Sequence, residues 1–142
     1  MRSSRAFLLL SVAVAVTLGQ SAPGFTQARN AQAVAPIEGY ACMQLARDAA
    51  HLRDPATIPP MLAAPSPGAP SLGVSPYIVI ARSPARTING YAEALWMGST
   101  RDHPVTGWVP AGALLPFRSA NAAAARCAPV WLANGHPGAL TR

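Results

Sequence analysis

Ten side chains carry the acid, base, nucleophile or metal-ligand chemistry of this 142-residue chain: Cys42 and Cys127, His51, His103 and His136, and the carboxylates Glu38, Asp48, Asp54, Glu93 and Asp102. A nucleophilic cysteine needs a base within hydrogen-bond reach, and Cys42 with His51 or His136 is the pairing on offer. An oxidised Cys42–Cys127 bridge is the better use of the same thiol, because the cysteine number is even and an exported chain meets an oxidising compartment. That bridge would close a loop of about 85 residues, worth about 4 kcal/mol on chain-entropy grounds. The histidines lie at no recognised zinc spacing and read as surface or loop residues. The acids make no paired-carboxylate signature, and no Gly-x-Ser-x-Gly or Gly-rich phosphate loop occurs. The expectation is a protein that is no enzyme and holds neither metal nor other cofactor.

Recognition chemistry is better represented. Tyr77, Tyr91, Trp96, Trp108 and Trp131 would either form an exposed platform that stacks on sugar rings or packs a peptide, or fill a core. With only 6% aromatic residues, a core needs most of them. Tyr91 and Trp108 are the leading exposed pair, with Asn89 and Arg101 supplying polar contacts from the adjoining turns.

These residues need a scaffold, and the front of the chain bears on where it works. Met1-Arg2-Ser3-Ser4-Arg5 is basic and precedes the apolar run Ala6–Leu18, the length of a secretory signal core and too short for a bilayer span. Small-residue cleavage patterns follow at Ala31-Gln32-Ala33 and Thr26-Gln27-Ala28. Residues 1–33 read as a signal peptide, the product as periplasmic or secreted with no stable membrane anchor. With Arg2, Arg5 and Arg29 gone, eight basic residues face five acidic ones, a net charge of +3 rather than the +6 of the whole chain. The remaining arginines are scattered, whereas nucleic-acid binding needs a clustered basic face. No nucleic-acid partner is expected.

The remaining 109 residues suffice for one core. From Tyr40 to Arg53, apolar or small residues recur at Cys42, Leu45, Ala49 and Leu52, with Arg47 and Asp48 opposite, which predicts an amphipathic helix. Asp54-Pro55 ends it. Seven prolines between Pro55 and Pro76 mark a wide loop rather than a linker. Tyr77–Ala81 is a strand, and Asn89-Gly90 suits a tight turn with positive φ. Tyr91–Trp96 follows as a strand with Tyr91, Glu93 and Leu95 on one face and Ala92, Ala94 and Trp96 on the other. A polar turn over 98–104, a strand at Gly107-Trp108-Val109, a 3₁₀-like turn at 110–113 and a closing strand at Leu114–Phe117 complete the series. Ala-rich Ser119–Arg126 predicts a turn or two of helix, and Trp131 demands a tail folded back on the body.

Short strands joined by Gly/Pro turns favour a barrel. From Met61 to Phe117 the order of motifs resembles the bacterial SH3-like (SH3b) domain: a Pro-Ser loop closing on Leu72-Gly73, a Val/Ile strand, Asn89-Gly90-Tyr91, then Gly107-Trp108-Val109. The whole is similar to small exported Gram-negative proteins that join a helix, such a barrel and a cysteine-bearing tail. The fold so implied is mainly β, a small SH3-like barrel with one short N-terminal helix and a C-terminal tail, cross-linked by a disulfide. Its segments are 34–57 (helical), 58–118 (barrel) and 119–142 (tail). The resemblance implies a binding module for cell-wall peptide or glycan. Ala113 stands where the eukaryotic SH3 groove has a Tyr, and Gly112 where it has an Asn, which argues against a polyproline ligand. Two roles follow: a module that recognises an envelope component, peptidoglycan or a peptide, or an accessory protein that assembles with an envelope protein partner and binds no small ligand.

Overall fold

The computed structural model describes residues 32–46, 54–120 and 122–142. Residues 1–31 of the expected signal peptide 1–33 lie outside the described residues, as do residues 47–53 of the expected helix, which include His51 and Asp48. The described chain is mainly β, with eleven strands and two short 3₁₀ turns in two antiparallel sheets. The strands are β1 (Ala33–Pro36), β2 (Tyr40–Leu45), β3 (Pro60–Leu62), β4 (Ser71–Val74), β5 (Ile78–Arg82), β6 (Thr87–Ile88), β7 (Tyr91–Leu95), β8 (Thr106–Pro110), β9 (Leu114–Pro116), β10 (Cys127–Leu132) and β11 (Pro137–Thr141). The large sheet runs β4-β3-β8-β7-β5-β2-β9, with β6 added to β7, and the small one runs β1-β10-β11.

The predicted strands recur as β5, β7, β8 and β9, the faces expected of Tyr91–Trp96 recur in β7, and the 3₁₀ turn sits at Ala111–Ala113. One core holds Leu45, Met61, Val79, Ala94 and Val109, all 1% exposed or less. A second, on the opposite face of the large sheet, holds Ile37, Ile80 and Leu95 beneath Tyr40, Met97 and Trp131. Adjacent residues of β5 and β7 therefore point into different cores, because a strand's side chains alternate. Trp131 is thus packed into the body as its size requires.

Three expectations are corrected. Tyr40–Leu45 is strand β2, paired with β5 on one side and β9 on the other, and not the start of a helix. Cys42 and Leu45 are both buried because one face of β2 meets the small sheet and the other the first core. Burial on both faces produces a spacing of three that imitates a helical stripe. The strand ladder does not close into a barrel: β4 and β9 are its unpaired ends among the described residues. β9 is three residues long and ends at Pro116, which has no N–H to extend a ladder. Ala122–Arg126 makes one turn, Ala125 N–H to the Ala122 carbonyl at 3.0 Å, rather than a helix.

The tail supplies β10 and β11, which with β1 make the small sheet. The Cys42–Cys127 disulfide joins β2 to β10, with Cα atoms 5.8 Å apart, and so bolts that sheet to the large one. Ser99, fully buried in the β7–β8 turn, accepts a bond from Val105 N–H (2.8 Å) and donates to the Val105 carbonyl (3.0 Å). Its own carbonyl lies 2.9 Å from His136 Nδ1, and Arg101 N–H donates to the Gly135 carbonyl at 2.7 Å. The second attachment is therefore polar and lies at the far end of the β10–β11 hairpin.

Candidate binding site

The residues singled out from the sequence divide among three places. Asn89 (φ 50°) and Gly90 (φ 81°) form the β6–β7 turn, where positive φ at both positions matches the twist of the strands. The Asn89 Nδ2 donates to the Pro65 carbonyl at 3.2 Å, tying this turn to the proline-rich loop. Tyr91 begins β7 opposite Pro110 and is half-buried. Arg101 is exposed beyond the other end of β7, a strand about 13 Å long at its usual rise. Asn89 and Tyr91 are brought together; Arg101 is not.

Trp108 occupies a third environment. It sits on β8 opposite Glu93 and beside Leu62, and is only 7% exposed. The Arg86 guanidinium covers it, with Cζ 5.8 Å from the ring centroid, a cation–π distance. Arg86 Nη1 also donates to Glu93 Oε2 at 2.7 Å. Glu93 is buried and Arg86 largely exposed, so the ion pair both satisfies an interior carboxylate and anchors the lid on the indole. A molecule approaching here meets an arginine, not an aromatic face. Gly107 has its own reason: a Cβ there would collide with the Met61 thioether that fills the core beneath β8.

The thiols of Cys42 and Cys127 are consumed by their mutual bond. Among the described residues no three His, Cys, Asp or Glu side chains gather where a metal could be held.

A larger concave surface lies on the small sheet, on the side turned away from the disulfide. It is a groove of about 560 Å³, in the size range of small-ligand sites. Pro36, Ala128, Val130 and Leu140 make its apolar floor and wall, and Arg126 and Arg142 stand at one end. Among the described residues no acidic side chain lines it. The register explains the arrangement: Ala128 pairs with Leu140, and two residues outward, on the same face, Arg126 and Arg142 exchange both backbone hydrogen bonds, at 2.8 and 2.9 Å. Residues that exchange both bonds face each other directly, so the two guanidinium stems leave the same face of the sheet. β1 supplies the wall and pairs only with β10 among the described residues.

None of these groove residues was singled out from the sequence, although a signal existed. Asn134-Gly135, flanked by Val130-Trp131-Leu132 and Ala139-Leu140, has the same hairpin chemistry as Asn89-Gly90, and Gly135 has φ 83°. Pro129 obscured it. Pro129 accepts a bond from Ile37 N–H at 3.0 Å but has no N–H to return, so it sits where β1 ends and costs the ladder little.

No protein-family model, curated protein or solved structure matches this chain.

Proposed function

We propose that the protein is an exported, non-catalytic SH3-like binding module that recognises a component of the cell envelope, peptidoglycan or a peptide. The observation that carries this reading is the groove on the small sheet, an apolar floor ending in two arginines and held rigid by the disulfide. Preorganised concave surfaces with a few placed polar groups are what ligand recognition requires. The SH3-like character is supported by the antiparallel run β3-β8-β7-β5 with its Asn-Gly turn. Export is supported by the disulfide, which persists in oxidising compartments. No described helix is long and apolar enough to cross a membrane.

Cleavage after Ala28 fits the fold better than cleavage after Ala33. The Gln32 carbonyl accepts a bond from Ala133 N–H at 2.8 Å, and Ala33 pairs with Leu132. A cut after Ala33 removes both rungs. The intact mass of the secreted product is expected to correspond to a chain beginning at Arg29; one beginning at Val34 overturns that assignment.

The test of function is retention of the purified mature protein on isolated cell-wall sacculi. Saturable retention is expected. No retention, with a soluble envelope protein co-purifying instead, overturns the reading in favour of an accessory role.

A further inference from the structure

We infer that the groove of the small sheet binds the carboxylate-bearing end of an extended peptide with small apolar side chains, Arg126 and Arg142 holding the carboxylate. This deepens the envelope-binding reading and rests on it only for the source of the peptide. Arg126 and Arg142 face each other across a hydrogen-bonded strand pair, and like charges so placed destabilise a sheet. Neither forms an ion pair among the described residues. A bound carboxylate reverses that repulsion, and two planar guanidinium forks can each give it paired, charge-assisted hydrogen bonds.

The rest of the groove sets the chemistry of what precedes the carboxylate. Its floor of Ala128, Val130 and Leu140 beside Pro36 is apolar, so it fits small apolar side chains better than charged ones. The wall is an edge strand whose free backbone groups point outward in the plane of the sheet, so a peptide that runs past the groove over β1 gains main-chain hydrogen bonds there. An acyl chain cannot use those bonds. The occupant is therefore a peptide and not a fatty acid.

Calorimetric titration of the mature protein with acetyl-Ala-Ala-Ala bearing a free C-terminus tests this. Saturable binding is expected, weakened at least about tenfold by the C-terminal amide and by Arg126→Gln/Arg142→Gln, a change of about one decade per strong interaction lost. Equal binding of acid and amide overturns the proposal. So does tighter binding of octanoate, an unchanged affinity in the double variant, or a dimer at assay concentration whose interface covers the groove. The same variant on sacculi separates this claim from the broader one. Retention of the wild type that survives Arg126→Gln/Arg142→Gln sinks the groove assignment and leaves envelope binding standing. Peptide binding without sacculus retention does the reverse.

Discussion

Trp108 and Val130 both sit on strands at the centre of a sheet, both are 7% exposed, and only one of them floors an open groove. Over Trp108 lies Arg86, fixed by a buried carboxylate. Val130 lines the groove beside Pro36, Ala128 and Leu140, and the nearby arginines face one another instead of an acid. An arginine with an internal partner serves as a lid, whereas an arginine without one is available to a ligand. The residue type is the same, and the partner decides its role.

The comparison breaks first at its frame. Replacing both cysteines, Cys42→Ser/Cys127→Ser, frees the small sheet from the large one and is expected to cost about 4 kcal/mol. Urea denaturation checks this, and a midpoint equal to that of the wild type would mean the bridge carries no stability. Next is Trp108→Ala, a core truncation expected to cost about 3 kcal/mol. Near-neutral stability combined with lost ligand retention would mark Trp108 as a contact residue and reverse the contrast drawn here. Arg86→Ala strands the Glu93 carboxylate and is expected to cost about 2 kcal/mol, less than a wholly buried pair because Arg86 is largely exposed. Double-mutant analysis with Glu93→Gln should recover part of that loss; strict additivity would deny the pairing. Smallest is Arg126→Gln/Arg142→Gln, expected to leave stability within about 0.5 kcal/mol or raise it slightly, since it removes a like-charge repulsion.

Much of the large sheet was legible because its signals are local. Asn89-Gly90, the alternation of β7 and the glycine of Gly107-Trp108-Val109 each act within a few residues. Cys42 and Leu45 misled because β2 is buried on both faces, and two half-periods of a strand then look like a helical three. Pro129 concealed β10 for a different reason: a proline is permitted inside a strand where its neighbour ends, and that depends on β1, more than 90 residues away. The lid on Trp108 was unreadable in the same way. Nothing near Trp108 in sequence announces that Arg86 and Glu93 will meet above its ring. The cysteine pairing was legible because a chain with two cysteines leaves one choice of bridge. The groove was not, because it is made by bringing Arg126 and Arg142, sixteen positions apart, into register.

The most direct test is a two-dimensional amide spectrum of the mature protein titrated with acetyl-Ala-Ala-Ala. The largest shifts are expected at Ala35, Ala128, Val130 and Leu140 and in the side chains of Arg126 and Arg142, with the Trp108 indole unmoved. Shifts centred on Asn89, Tyr91 and the Trp108 indole, with the small sheet silent, would contradict the account.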